Sequence, residues 1–336
     1  MTILSRFAAA SPPTGAGSVS TVWLRVAGTV ALGLAGLAAL PFVLSKYQLG
    51  LATEILIYGA LAMSIDILAG FAGRTSLAHG AIFGVSAYAV VYTVTQLGVS
   101  PVVAFLLGVL AATLVAALFS LVAVRTSGVY FLLLTLALGM IVWGICLRWT
   151  DVTGGENGLR GTLRSGWLRD HQALYWLVLS CVASLTFAMW RLVRSPFGLT
   201  LRGIRDSESR MRSLGYDVHL HLFIGFTLSG FFAGVAGGLY AFFNDFVSPS
   251  AVALAQSVQG LLMTIAGGVG SLFGSFVGSA AILMLQNVVS SYTERWQTVL
   301  GITFIVIMIF APEGLVGTAR ALLARHMRSQ RTGRKG

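Results

Sequence analysis

The dominant pattern along the chain is a series of apolar runs, each about as long as a membrane crossing. A spanning helix needs about 20 mostly apolar residues. Nine runs approach that length: 22–44, 50–70, 79–97, 101–124, 129–148, 173–192, 220–243, 251–291 and 298–311. The 251–291 run has room for two segments, 251–269 and 273–291, with glycines between them. The pattern predicts an all-α, polytopic transmembrane helical bundle of about 8–10 spans with at least one Gly-broken helix.

Composition agrees with a membrane protein. The chain is 56% hydrophobic and 10% charged, with a mean hydropathy of +0.85, whereas a soluble domain carries about 25% charged residues. A net charge of +11 could suit nucleic acid, but the positive residues flank apolar spans instead of lining a soluble face. We therefore expect a lipid bilayer as partner and no nucleic acid.

The charges are concentrated in one loop. Residues 191–217 hold nine of the 33 charged residues. If this loop is cytoplasmic and each earlier run spans once, 16 lysines and arginines face the cytoplasm and six face the other side, as the positive-inside rule requires. Both termini are then cytoplasmic. The predicted organisation is an N-terminal segment 1–21, a membrane domain 22–318 with a cytoplasmic loop 193–219, and a basic tail 319–336.

The loop also has a helical pattern. Pro196 and Gly198 break the preceding helix, and apolar residues then follow at steps of three and four. The stripe consists of Phe197, Leu201, Ile204, Met211 and Leu214. We predict one short helix that ends near Gly215 and lays this stripe against the bundle or a partner. The alternative is a basic loop that only sets topology.

The chain lacks the residues of common energy-transducing chemistry. Its two lysines, Lys46 and Lys335, lie in Ser-Lys-Tyr and Arg-Lys-Gly, so neither can belong to a phosphate-binding P-loop. No paired carboxylates, nucleophile–His arrangement or metal cluster is evident, and Glu54 and Asp66 are separated by about 18 Å of helix. We expect no enzyme activity, no cofactor and no metal. An ion-coupled secondary carrier would need more ionisable groups within its spans.

Glycines suggest two kinds of helix contact. The four-residue repeats at 230, 234 and 238 and at 270, 274 and 278 predict close helix packing. Gly267, Gly268 and Gly270 are dense enough to interrupt a helix, and interrupted helices often border transport paths. Asp66, near Arg74, Ser76 and His79, is the most polar group at membrane depth. It could line the path, pair with Arg74, or lie at the span end, with His79 capped or interfacial.

Several motifs in order give a more specific indication. The loop sequence Ser195-Pro-Phe-Gly-Leu-Thr-Leu-Arg-Gly-Ile-Arg-Asp-Ser-Glu resembles the coupling loop of ATP-binding-cassette (ABC) importer permeases. It is most similar to the LivM-type branched-chain amino acid permeases. The other matches are Leu68-Ala-Gly-Phe-Ala-Gly-Arg-Thr-Ser-Leu-Ala-His-Gly, Arg125-Thr-Ser-Gly-Val-Tyr-Phe-Leu-Leu-Leu-Thr-Leu-Ala, Thr153-Gly-Gly-Glu-Asn-Gly-Leu, Gly267-Gly-Val-Gly-Ser-Leu-Phe-Gly and Pro312-Glu-Gly-Leu.

The chain also departs from the family pattern. Asp66 stands where the family commonly has Asn, Arg74 where it has Gln, and Ala78 where Gly precedes the histidine. Arg210 and Met211 occupy positions usually held by small residues. These differences leave the architecture unaffected and the substrate open.

The resemblance implies a permease subunit in the bacterial inner membrane that moves branched-chain or other hydrophobic amino acids. It implies three kinds of partner: a second related permease that forms a heterodimer with this chain, two ATP-hydrolysing subunits and a substrate-binding protein outside. Urea, short amides or another small polar solute remain alternative substrates, and a non-transport scaffold is a further alternative. The loop 149–171 would either meet the binding protein or be a solvated connector.

Two groups of residues follow as candidates. The ATPase-coupling loop would use Phe197, Gly198, Leu201, Arg202, Ile204, Arg205, Asp206, Glu208, Met211 and Gly215. The translocation path would use Asp66, Ser76, His79, Tyr88, Thr135, Gly267, Gly268 and Gly270.

Overall fold

A computed structural model describes residues 36–161, 163–164, 166–293, 295–310 and 314–318. The chain divides into two units, Met1–Ser45 and Lys46–Gly336. In the first unit, the described residues include a helix over 36–43. The predicted segment 1–21, most of the predicted span 22–44 and the predicted tail 319–336 lie outside the described residues.

The second unit is a series of helices. The long helices are α1 (Lys46–Asp66), α2 (His79–Leu97), α3 (Pro101–Ala123), α4 (Gly128–Arg148), α6 (His171–Arg194), α9 (Val218–Asn244), α10 (Leu254–Gly267), α11 (Leu272–Ser290) and α12 (Trp296–Phe310). Short helices are α5 (Thr150–Thr153), α7 (Pro196–Asp206) and α8 (Glu208–Ser213). A π-helical turn, Ile67–Ala72, extends α1. Strands β1 (Leu159–Arg160) and β2 (Phe246–Val247) pair antiparallel.

Seven helices within the described ranges are long and apolar enough to cross a membrane. They are α1 with its π-helical turn, α2, α3, α4, α6, α9 and α11. They correspond to six of the predicted runs and to the predicted segment 273–291. The predicted segments 251–269 and 298–311 form the shorter α10 and α12, of 14 and 15 residues. A 14-residue helix is about 21 Å long, less than the hydrocarbon core of about 30 Å. The predicted polytopic helical bundle is confirmed.

Helix α9 lies at the centre and packs against α1, α2 and α3. Its glycines make this possible, as the four-residue repeat predicts. A Cβ on Gly230 or Gly238 would overlap α3 at Ala116 or Phe105, and a Cβ on Gly237 would overlap the carbonyl of Phe83. The backbones of these helices therefore approach closely at α9.

The outer surface of the bundle is apolar. Helix α3 exposes Leu106, Leu110, Leu114 and Leu118, each more than half accessible, along one face. In water such a continuous apolar face would be unfavourable, but it suits hydrocarbon. The polar side chains described below lie inside the bundle or at its two ends.

The 251–291 run is interrupted as predicted. The 3-10 helix Pro249–Val252 packs into α2 at Gly84, so α10 begins inside the bundle instead of at its end. Helix α10 then follows α1, with Thr264 Oγ1 donating to the Ala62 carbonyl at 2.8 Å. After the break at 268–271, α11 returns antiparallel, and a Cβ on Gly278 would overlap the carbonyl of Met263. The fold therefore contains a glycine-broken helix pair.

Candidate functional site

The loop between α6 and α9 folds as two short helices, not as the single helix predicted. Helix α7 ends at Asp206, and Ser207 adopts an extended conformation with φ −167° and ψ 104°. Its hydroxyl accepts the backbone N–H of Arg210 at 3.4 Å and caps α8. Serine competes for backbone hydrogen bonds in this way, which is why it starts helices more readily than it continues them.

Most of the predicted apolar stripe of the loop faces the bundle. Leu201 and Ile204 are each 2% exposed, and Met211 is 9% exposed. Met211 packs against Gly203, so the two short helices close on each other, while Leu201 packs against Gly225 of α9. Ordinary burial of apolar side chains therefore holds the loop on the bundle.

The last residue of the predicted stripe does not lie against the bundle. Leu214 follows α8 and is 67% exposed, so that it is open to a partner. Leu199, which the pattern did not single out, is 61% exposed beside it. With Tyr216 these side chains border a groove of about 560 Å³. Its lining residues are Pro196, Phe197, Leu199, Thr200, Met211, Leu214, Tyr216 and His221.

Arg74 joins the loop to two other links at the same end of the bundle. Its guanidinium pairs with Glu208 of α8 and donates to the carbonyl of Thr126, between α3 and α4. The Arg74 side chain is only 6% exposed. The expected alternative of an Asp66–Arg74 ion pair was wrong, because Arg74 points towards the loop. The three segments predicted to be cytoplasmic, near residues 74 and 125 and over 193–219, therefore meet at one end.

Two arginines of the loop contact the π-helical turn. The Nη1 group of Arg205 donates to the carbonyl of Gly70 at 2.6 Å. The guanidinium of Arg202 lies 5.0 Å from the ring centroid of Phe71, which is a cation–π distance. Asp206 pairs with the neighbouring Arg205 at 3.2 Å and at an exposed position, so this pair contributes little to holding the loop.

Asp66 and the glycine break are brought together, although 204 residues separate them along the chain. Asp66 is fully buried, and its Oδ1 accepts the backbone N–H of Gly270 at 2.7 Å. Gly268 and Gly270 have φ values of 113° and 82°, which only glycine adopts readily. The break therefore exposes a backbone donor, and Asp66 satisfies it.

The other predicted path residues are buried in helix contacts. The side chains of Ser76 and Thr135 hold the start of α2, with Thr135 Oγ1 accepting the N–H of Leu77 at 3.1 Å. Tyr88 lies apart from them, nine residues along α2, in a cluster with Cys146 and Val247. Asp66, Ser76, His79 and Thr135 are each fully buried within the single subunit. Their role in a path remains a prediction.

His79 is not at the surface, so the expectation of an interfacial histidine was wrong. It is fully buried, and its Nε2 lies 2.6 Å from the hydroxyl of Ser229. That hydroxyl donates to the carbonyl of Ser64 at 2.6 Å. The chain of contacts joins α2, α9 and α1 at the core. Sequence reasoning missed Ser229, although a lone serine amid glycines in an apolar helix was a usable signal.

The opposite end of the bundle holds the loop 149–171. Strand β1 of this loop pairs with β2, and Asp245 accepts the backbone N–H groups of Leu163 and Arg164 at 3.1 and 3.2 Å. The Arg164 side chain also pairs with Asp245 at 3.5 Å. This loop is therefore fastened to the α9–α10 link, which the sequence did not indicate.

The described residues contain no group of three or more His, Cys, Asp or Glu arranged to hold a metal. Cys146 is buried and Cys181 half-buried, and both are free. The site is therefore a set of contacts that hold helices and loops in place.

Comparison with known proteins places these features in a family. The LivM high-affinity branched-chain amino acid permeases of Salmonella typhimurium and Escherichia coli are each 28% identical over 312 residues, covering 85% of this chain and 73% of theirs. The guanosine ABC transporter permease NupQ of Bacillus subtilis is 34% identical over 59 residues, covering 17% of this chain and 18% of its own. No solved structure gives a significant match.

Residues 47–311 match the family described as "Branched-chain amino acid transport system / permease component". This range includes the coupling-type loop, the π-helical turn and the broken pair α10–α11. The chain therefore belongs to this family of transport permeases and is a multi-pass membrane protein.

Proposed function

We propose that this chain is one membrane-spanning subunit of an ATP-driven importer for branched-chain or other hydrophobic amino acids. The observation that carries the proposal is the fastened loop α7–α8 with its exposed apolar groove. A loop that only set topology would need neither the buried stripe nor the groove. Membership of the permease family supports the same conclusion.

The residues of this chain indicate which steps of transport other subunits carry out. No P-loop occurs in the sequence, so ATP hydrolysis is assigned to separate subunits. A binding protein outside and a second, related permease would complete the importer. The fastened loop 149–171, at the other end of the bundle, is the surface we assign to the binding protein.

The proposed function places the chain in the inner membrane with the α7–α8 loop in the cytoplasm. The three basic links that the positive-inside count assigns to the cytoplasm share one end of the bundle, which supports this sidedness. A cysteine-accessibility experiment on intact cells would check it, with Ser209 as the loop position.

The substrate is tested in proteoliposomes that hold the complete complex, purified from cells expressing this chain with its permease, ATPase and binding-protein partners. We expect uptake of radiolabelled leucine that requires internal ATP and all partners, and competition by isoleucine and valine. Competition by urea, acetamide or guanosine instead would reassign the substrate. Uptake by this chain alone, driven by an ion gradient without ATP, would refute the importer.

The groove gives a prediction about ATPase docking. Replacing Leu199 and Leu214 together by glutamate should weaken binding of the ATPase subunits by about tenfold or more, because truncating or charging an apolar anchor commonly costs about 1–2 kcal/mol or more. Since both side chains are exposed, the isolated permease should keep its thermal stability. Co-purification and titration of the detergent-solubilised permease with ATPase would measure this.

The matched control is Leu106 with Leu114, which are similarly exposed on α3 away from the loop. Exchanging those two for valine should leave ATPase affinity unchanged. If the Leu199 and Leu214 double variant binds the ATPase as the parent does, the groove is not the docking surface.

A further inference from the structure

The π-helical turn at the end of α1 lies between the loop and the helix break. It spans Ile67–Ala72 and ends at Gly73, whose φ is 69°. π-Helical turns are rare and occur frequently at functional sites. This turn contacts helix α7 of the loop on one side and the break between α10 and α11 on the other.

On the loop side, the contacts come from α7. Arg205 donates to the Gly70 carbonyl at 2.6 Å, and its side-chain carbons cover Gly73, where a Cβ would lie 2.6 Å from Arg205 Cγ. Arg202 stacks over Phe71. Any movement of α7 relative to the bundle must therefore either carry the turn with it or break these contacts.

On the other side, the same peptide meets the break between α10 and α11. A Cβ on Gly70 would lie 2.5 Å from the backbone nitrogen of Gly270 and 2.7 Å from its Cα. Asp66, at the start of the turn, holds the Gly270 N–H at 2.7 Å. Asp66 is fully buried, and its second oxygen, Oδ2, has no hydrogen-bond partner among the described residues.

We propose that the π-helical turn transmits movement of the loop to the helix break, with Arg205 and Asp66 as the positioning residues at its two ends. The inference rests on the proposed function, since it takes α7 to be moved by an ATPase. Arg205 donates a hydrogen bond to the Gly70 carbonyl, and the turn holds Gly70 against Gly270. Asp66 fixes the position of the break by accepting the backbone N–H of Gly270. The path from α7 to Gly270 thus runs through one residue, Gly70.

The end of the turn at Gly73 explains why the Gly70 carbonyl can take part in this linkage. In an α-helix the carbonyl of residue 70 would be directed at an N–H further along the same helix. Here α1 is ending and Gly73 turns the chain, so the Gly70 carbonyl is available to Arg205. The absence of a side chain on Gly70 lets Gly270 approach from the other side.

The test uses the complete complex in proteoliposomes and measures leucine uptake per ATP hydrolysed. The variant Arg205→Met keeps an unbranched stem over Gly73 but removes the donor to Gly70. We expect ATP hydrolysis to continue while uptake per ATP falls about fivefold or more, the lower range of measured coupling. Arg205→Lys, which restores a donor, should recover part of the uptake per ATP hydrolysed.

Asp66 is tested by a matched pair. Asp66→Asn keeps an oxygen acceptor for the Gly270 N–H and should retain the parent's leucine uptake per ATP hydrolysed. Asp66→Leu removes the acceptor and should lower uptake per ATP. Arg191→Ala is the control for charge, because Arg191 is exposed on the last turn of α6, outside the contacts that define the linkage.

A second readout does not depend on transport. Val269, beside Gly270, is 51% exposed. In a background with Cys146→Ala and Cys181→Ala, the maleimide-labelling rate of Val269→Cys should differ between ATP-free complex and complex trapped with ATP and vanadate. Arg205→Met should abolish that difference while leaving the ATP-free rate unchanged. A merely structural role would change both rates together.

The outcomes are separable. If the parent complex shows no ATP-dependent uptake, the proposed function fails. If the parent transports and Arg205→Met and Asp66→Leu both keep its uptake per ATP, the linkage through the π-helical turn is wrong. Should Asp66→Leu fail to assemble, Arg205→Met with the labelling measurement decides alone.

Discussion

Replacing Gly270 by leucine should abolish uptake while the permease still folds and binds its partners. Gly270 has a φ of 82°, and a leucine held there costs about 1–3 kcal/mol. The space itself is open, since the nearest atom to an added Cβ is the Gly70 carbonyl oxygen at 3.9 Å. The break must therefore change its backbone conformation, and the Gly270 N–H then leaves Asp66.

Two comparison variants distinguish the effect of backbone strain from the effect of a substitution at the helix break. Gly98→Leu places the same side chain at a φ of 62°, also with nothing within 4 Å, but at the end of α2 away from the break. It should lower thermal stability to a similar extent and leave leucine uptake intact. Gly268→Leu is a poorer test, because Gly314 packs directly on Gly268, so assembly should suffer as well. Parent-level uptake by Gly270→Leu would exclude a role for the break.

Replacing Ile204 by aspartate should uncouple ATP hydrolysis from uptake. Ile204 is 2% exposed and belongs to the stripe that holds α7 on the bundle. Burying a carboxylate without a partner is costly enough that α7 should leave its position, because the charge gains more by reaching water. ATP hydrolysis by the complex should continue, whereas uptake per ATP should fall about tenfold or more, in line with a loss of about 2 kcal/mol.

The control is Ile204→Val, which removes one methylene and typically costs about 0.5–1.5 kcal/mol. It should retain most of the coupling. Met211→Asp should behave like Ile204→Asp, since Met211 closes α8 onto α7 at Gly203. Coupled transport that survives both aspartate variants would mean that the loop is only an anchor. Hydrolysis and uptake measured on the same proteoliposomes would decide the matter.

Much of the site could be anticipated because it depends on local pattern. Pro196, the apolar spacing after it and the charge of the loop identify a helix on the membrane surface. The glycines at 267–270 identify a break, because several adjacent residues without side chains lose helix propensity. The buried part of the stripe, Leu201, Ile204 and Met211, could be foreseen from this spacing. The division into two helices could not, because it depends on a single side-chain cap at Ser207.

The partners of the buried polar groups could not be foreseen in this way. Asp66 lies eight residues before Arg74, yet each pairs with a residue more than 130 positions away, Gly270 and Glu208 respectively. His79 sits at a helix start and so looks interfacial from the sequence, but α9 covers it with Ser229. Local spacing carries no information about which distant element supplies a donor or acceptor.

The sequence by itself determined the membrane location, the helical class, the basic loop and the glycine break. Each of these follows from hydrophobicity, charge or backbone freedom, which are properties of short segments. Only the tertiary structure decided that α10 begins inside the bundle and that the loop is fastened through Arg74. It also decided that the π-helical turn connects Arg205 with Gly270. These features depend on how closely glycine-bearing helices approach one another, and that distance is set by packing across the whole bundle.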